Sequence, residues 1–313
     1  MAMSSTPAVA DPSARKARNA RRQRNERLFR RAGLAVTMFG ILVLGALLAD
    51  LMISGASRIS WDFLTSFPSR RASQAGILSA WVGSLLVILV TGLIGVPLGV
   101  AAGIYLEEYA PKNTFTDIID INVSNLAGVP SIIFGLLALS LFVYGLGTGR
   151  SIFTAGLTLA LLILPIVIVA TREALRAVPQ GLRDAAYGIG ATKWQVTRDH
   201  VLPAAMPGVL TGVIIAISRA LGETAPLITI GALTFIAFLP TPPIQSEFPF
   251  VSFKWLGDGF TVLPIQAFNW VSRPGSDFHA NAAAAGLVLM GITLSLNAAA
   301  IYLRYRLRKK LKW

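Results

Sequence analysis

"PQGLRDAAYGIGATKWQVTRDHVLPAAMPG", residues Pro179 to Gly208, is a polar insert between two long apolar runs. Leu182, Ala185, Ala186 and Ile189 recur at helical spacing, with Arg183 and Asp184 beside them. That pattern predicts a short amphipathic helix. Gly188 and Gly190 predict its end. Thr192, with Gln195 three residues later, fits a capping box and predicts the start of a second helix. Pro203 predicts the close of that helix before the next apolar run. Two short helices around a glycine turn make a compact knob carrying Tyr187 and Trp194. Such a knob suits a partner's groove, and equally an interfacial hairpin lying on lipid.

The runs on either side place the knob at the end of membrane spans. The chain has 313 residues, 54% of them hydrophobic and 14% charged, with a mean hydropathy of +0.64. Soluble domains carry about 25% charged residues. Six apolar stretches are expected as spans: about 33–53, 76–104, 122–145, 151–171, 207–239 and 280–303. Each reaches the ~20 residues needed to cross ~30 Å of hydrocarbon. The fold class is therefore an all-α membrane protein. The first span is too long for a signal-peptide core, which needs only about 7–15 residues. Pro97, Pro130, Pro165 and Pro226 fall inside spans and are expected as kinks. Trp61, Trp255 and Trp270 fall in expected outer segments, where interfacial aromatics gather. Asp50 reads as interfacial, and Asn122 and Asn125 as packing hydrogen bonds.

The net charge of +13 sits in two tails. Residues 1–31 hold nine Lys/Arg against Asp11 and Glu26, and residues 304–313 hold six with no acid. The 32–303 span domain is formally neutral. Basic tails beside spans are cytoplasmic topology markers that also suit anionic membrane lipid, so nucleic acid is not an expected partner. Residues 1–27 lack periodicity and read as disordered. With the N-terminus inside, inner segments hold 21 Lys/Arg and outer segments six. Both termini are then cytoplasmic. One inner segment breaks the trend: Glu107, Glu108, Asp117 and Asp120 outnumber Lys112.

Within the fifth run, "ISRALGETAP" (Ile217–Pro226) places Arg219 and Glu223 four residues apart. A charge at the bilayer centre costs roughly 2.5–3.5 kcal/mol. A leucine or valine returns only about 0.3–0.6 kcal/mol. The pair thus cancels the benefit of on the order of ten apolar residues. At 1.5 Å per residue, Arg219 lies about 18 Å above Pro207, near the midplane. Glu223 is one turn further on the same face. An arginine fork stays protonated and pairs with oxyanions, so the pair reads either as a substrate pathway or as an ion pair joining helices.

Four stretches carry a resemblance to a known family. Asp184, Ala185, Ala186, Gly190, Leu202 and Pro203 match the EAA loop of ABC-importer permeases in spacing. Asp184 stands where that family prefers Glu, and His200 where it prefers Ile. "GVPSIIFGLLAL" (Gly128–Leu139), "SRALGETAPLI" (Ser218–Ile228) and "PLGVAAGIYLEEYA" (Pro97–Ala110) resemble the PstA-type permeases of phosphate importers. The resemblance covers roughly residues 58–305. It implies a type I, MetI-like bundle in the cytoplasmic (inner) membrane, with loop 179–203 as the ATPase-coupling loop. It also implies phosphate as substrate and Arg219 and Glu223 in its pathway. The partners it implies are an ABC ATPase dimer, a second homologous permease as heterodimer, and an extracytoplasmic phosphate-binding protein.

No G-x-x-x-x-G-K-[ST] loop is present, so ATP and Mg belong on the partner ATPase and this chain is not itself an enzyme. No cofactor or metal is expected on it. The chain has no cysteine and two histidines, His200 and His279, far apart. Rival readings are a permease for molybdate or sulfate, a gradient-driven carrier using Glu223 for protons, and a membrane scaffold. The in-register loop speaks against the carrier, which has no ATPase to dock.

Overall fold

The computed structural model of the chain describes residues 12–245 and 250–310. In chain order the helices are α1 (Pro12–Gly55), α2 (Trp61–Thr65), α3 (Leu78–Ile104), α4 (Thr114–Leu126), α5 (Ser131–Ala138) and α6 (Ile152–Arg176). They continue as α7 (Gln180–Gly188), α8 (Lys193–Gln195), α9 (Leu202–Gly222), α10 (Ala225–Thr229), α11 (Leu263–Val271) and α12 (Ser276–Lys310). π-helical turns extend α3 to Tyr109, extend α5 to Gly145, and join α8 to α9 through Val196–Val201. The chain divides after Ile53 into two compact units. Helix α1 makes up the described part of the first unit, and the helical bundle belongs to the second.

Helix α6 is the centre of the bundle. Ser151 caps it by accepting from the Thr154 amide. Ile152, Leu159, Ile163 and Val167 along it are all buried. Helix α3 lies against it through a stripe of small residues. A Cβ on Gly95 would stand 3.1 Å from Ile163, and one on Gly99 2.7 Å from Val167. One on Gly103 would stand 2.7 Å from Thr171. Glycine every fourth residue lets two backbones approach, which is how membrane helices gain packing contact where lipid gives no hydrophobic drive.

These contacts also fix direction. Residues 95, 99 and 103 meet 163, 167 and 171 in the same order, so α3 and α6 run parallel. The chain between them must therefore return across the bundle. Helices α4 and α5 make that return, bent by 106° at the break around Pro130. Among the described residues, five helices are long and apolar enough to cross a membrane, or six with the bent pair counted as one span, which the parallel run of α3 and α6 requires. Helix α9 is antiparallel to α6, with Gly208 against Ala174 and Gly212 against Ala170. Helix α12 is antiparallel to α9. Ser218 Oγ donates to Asn297 Oδ1 at 2.6 Å, and Arg304 Nη1 donates to Thr211 Oγ1 at 2.7 Å. At the end where α3, α6 and α12 begin, Arg58 donates to Asn281 Oδ1 and to the carbonyls of Ala72, Ser73 and Ala75.

Several expectations change. The fifth run is not one helix over 207–239. Helix α9 ends at Gly222, because Glu223 is extended (ψ 130°) and Pro226 opens the short α10 instead of kinking a span. Pro203 does not close a helix: Lys193–Gly222 is continuous. Pro203 sits in the first turn of α9, where an amide is not needed, and a π-helical turn precedes it. Trp255 and Trp270 are buried packing residues, and only Trp61 of the three is exposed. Asn122 bonds back to the Ile118 carbonyl of its own helix and, among the described residues, joins no neighbouring helix. Helix α1 runs from Pro12, so residues 12–27 are helical where no regular structure was expected. Their Ala, Arg, Lys and Gln content supports helix. Residues 1–11 and 311–313, the ends of the two basic tails, lie outside the described residues.

Candidate functional site

Arg219 and Glu223 meet as the spacing implies, with Nε to Oε1 at 3.4 Å. The setting differs from a plain helical pair. Arg219 is in the last turn of α9, and Glu223 is the residue on which the helix stops. The α9–α6 register, continued from Gly212 opposite Ala170, puts Arg219 at about the level of Ile163, halfway along α6. A Cβ on Gly92, near the middle of α3, would stand 3.7 Å from Ile217. The guanidinium is thus at mid-height in the bundle, 45% exposed on the surface of this chain, while Glu223 is 17% exposed. A helix broken at mid-height frees backbone groups where a ligand can use them.

The segment beyond the break is tightly seated. Pro226 of α10 packs on Gly135 of α5, where an added Cβ would come within 2.6 Å of Pro226 Cα. The two segments "GVPSIIFGLLAL" and "SRALGETAPLI" therefore form one joint. The break at Glu223 is held by α5 and is not a frayed end.

The loop is built much as its sequence implies. In α7, Ala186 is buried and Leu182 half-buried, while Ala185 and, just past the helix end, Ile189 face outward. Asp184 accepts from Gln180 Nε2 at 3.2 Å. Gly188 is the last residue of α7, and Gly190, at φ +85°, makes the turn. The capping box of Thr192 and Gln195 is complete. Leu202 and Pro203 lie in the first turn of α9, half-buried. Tyr187, Ile189 and Trp194 stand 44%, 82% and 58% exposed, an apolar tip unusual on a polar loop. One continuous helix, Lys193–Gly222, runs from this tip to Arg219.

A second group of charges was not singled out from the sequence. Arg172, 7% exposed, bonds both oxygens of Asp120 and lies 3.3 Å from Glu107. Arg176 Nε is 2.9 Å from the same Glu107. Arg183 of α7 is 2.7 Å from Glu108. The signal was present as the acidic excess over residues 105–121, against the trend of neighbouring segments. Its partners lie 52 to 75 residues away, so pairing is visible only once α3 and α6 are laid side by side.

The arrangement offers a half-exposed cation at mid-height, a carboxylate that can hold or release it, and a rigid link to an apolar tip. The family model described as "Binding-protein-dependent transport system inner membrane component" matches residues 95–312. The chain is 34% identical over 290 residues to the "Phosphate transport system permease protein PstA" of Yersinia pestis, covering 91% of this chain and 90% of that protein. It is 32% identical over 289 residues to the "Probable ABC transporter permease protein YqgI" of Bacillus subtilis (strain 168), covering 89% and 96%. Its fold is that of a chain of a bacterial alginate ABC transporter, with TM-score 0.62 and 16% identity over 91% of this chain and 96% of that one. A chain of the MetNI methionine ABC transporter in an inward-facing form gives TM-score 0.56 and 18% identity over 72% and 93%. The chain belongs to the family of binding-protein-dependent transport system inner membrane components.

Proposed function

We propose that this chain is the membrane-spanning permease subunit of an ABC importer for inorganic phosphate, driven by ATP hydrolysis on a separate subunit. The near full-length likeness to a phosphate-system permease supports the substrate class. One observation carries the mechanism: Arg219 stands half-exposed at mid-height where α9 breaks, held by Glu223 at 3.4 Å. Phosphate is a mono- or dianion near neutral pH and does not cross hydrocarbon bare. A guanidinium accepts its oxygens in a fork and stays charged throughout. Glu223 holds Arg219 when no anion is present and competes with the anion for it, which keeps binding weak enough for release.

The exposed tip at Tyr187, Ile189 and Trp194 docks on the ATPase in this reading, and loop 179–203 is the coupling loop. The segment bearing Lys112 and the tip face the cytoplasm. A second permease covers the exposed side of Arg219 and completes the pathway, and an extracytoplasmic binding protein delivers phosphate at the opposite end. Alternating access then moves the bundles around the mid-height site.

The test is radiolabelled phosphate uptake per assembled complex in cells with no other phosphate importer. Arg219→Gln is expected to assemble and to transport nothing. Glu223→Gln is expected to bind phosphate but release it slowly. The double change Arg219→Gln with Glu223→Gln decides between pathway and helix glue. Glue predicts recovery, since both costly charges are gone and no buried charge is left unpaired. The pathway predicts good assembly with no uptake, and near-normal uptake would remove Arg219 from it. No phosphate uptake by the assembled wild type, with uptake of labelled molybdate or sulfate instead, would move the substrate to another oxyanion.

A further inference from the structure

The acidic segment after α3 has no place in the pathway. Glu107, Glu108 and Asp120 are taken by arginines of α6 and α7, while Asp117 is exposed. Among these pairs Arg183–Glu108 differs in kind, because Arg183 belongs to the coupling loop itself. Its Nη2 lies 2.7 Å from Glu108 Oε1, and the two side chains are 12% and 10% exposed. The same guanidinium donates to the carbonyls of Val178 at 2.8 Å and Leu175 at 2.9 Å. Those carbonyls lie at and just past the C-terminal end of α6, where acceptors lack partners within the helix. One side chain therefore joins three elements: α7, the end of α6 and the end of α3.

Helices α6 and α9 flank the loop in the chain and move with it through covalent bonds. Helix α3 is 70 or more residues away in sequence and has no such connection. Its glycine stripe and Glu107 tie it to α6, but near the loop itself its apolar contacts, through Val100 and Ile104, are non-directional. A charge-assisted hydrogen bond is roughly twice as strong as a neutral one and fixes direction. Partial burial protects it from salt. We propose that Arg183 and Glu108 are positioning residues that pass movement of the coupling loop directly to the end of α3, so that α3 and α6 are driven together when the ATPase moves the loop. Arg172, bound to Glu107 and Asp120, holds α4 to the same group.

The inference rests on the importer reading, and the experiment separates the two. The complete importer, with its ATPase, second permease and binding protein, is reconstituted in vesicles as wild type, Glu108→Ala and Glu108→Gln. Three quantities are measured: yield of assembled complex, ATP hydrolysis, and phosphate carried per ATP. The wild type is expected to carry phosphate with ATP, and its failure to do so would overturn the importer reading itself. With that in hand, Glu108→Ala is expected to assemble and hydrolyse ATP while phosphate carried per ATP falls by at least about fivefold. Glu108→Gln, which keeps an acceptor for Arg183 without the charge, is expected between the two. An unchanged ratio in Glu108→Ala overturns the proposal. So does a loss of uptake and hydrolysis in equal proportion that tracks the loss of assembled complex, since that is what a mere staple produces.

Discussion

Gly190 shows how one backbone angle sets what a loop can present. Its φ of +85° lies in the left-handed region, and among the described residues nothing beyond its chain neighbours would meet an added Cβ within 4 Å. Conformation, not space within this chain, is what demands glycine there. An L-residue in this region costs roughly 1–2 kcal/mol, and Asn tolerates it better than β-branched residues do. Gly190→Asn is therefore expected to keep copurification of the ATPase subunit near wild type. Gly190→Val is expected to lower it by roughly 5–30-fold, the factor that ~1–2 kcal/mol implies. Equal copurification by both variants would show that the turn is not held at this angle in the docked complex. The glycine, the capping box and the Arg219–Glu223 pair were all legible in the sequence, because each is set by neighbours within four residues. The partners of Arg172 and Arg183 were not, because only the packing of α3 on α6 brings Glu107 and Glu108 to them.

Among elements, α3 and α6 set the rest. The stripe Gly95, Gly99 and Gly103 is regular at every fourth residue, yet its meaning depends on the facing Ile163, Val167 and Thr171. An apolar run reads the same whichever neighbour it touches, so the long apolar helices were legible while their register was not. The helix break at Gly222 was hidden for a related reason. "LGETAPLI" is apolar enough to extend a span, and the break is stabilised by Pro226 seating on Gly135, 91 positions earlier. The register makes a direct prediction. Gly99→Ala puts a Cβ 2.7 Å from Val167 and is expected to lower stability by about 1–3 kcal/mol, the usual cost of overpacking. Adding Val167→Ala is expected to return part of that loss. Leu98→Ala, at a position 58% exposed in this chain, is the control and should change little. Thermal unfolding of the detergent-solubilised protein measures all of these, and a double variant no better than Gly99→Ala would refute the contact.

For the whole molecule, the parallel run of α3 and α6 constrains topology more firmly than hydropathy does. Hydropathy alone leaves the 106° bend between α4 and α5 open to two accounts, a broken span or a re-entrant loop that turns back. A re-entrant loop would leave residue 148 on the same side as residue 112. That would make α6 start where α3 ends and run antiparallel to it. The contacts of Gly95, Gly99 and Gly103 exclude this. The chain has no cysteine, so single introduced cysteines report each position without background. With the loop end cytoplasmic, cysteines at Lys112 and Trp194 should react with a membrane-impermeant maleimide only after permeabilisation. Cysteines at Thr148 and Ser276 should be blocked in intact cells. Labelling of 148 and 112 from the same side would turn the bent pair into a re-entrant loop and dissolve the parallel register. Labelling of 112 and 194 from outside, with 148 and 276 from inside, would keep the register and invert the molecule. The apolar tip at Tyr187 and Trp194 would then face away from any cytoplasmic ATPase, and the coupling role of loop 179–203 would fall with it.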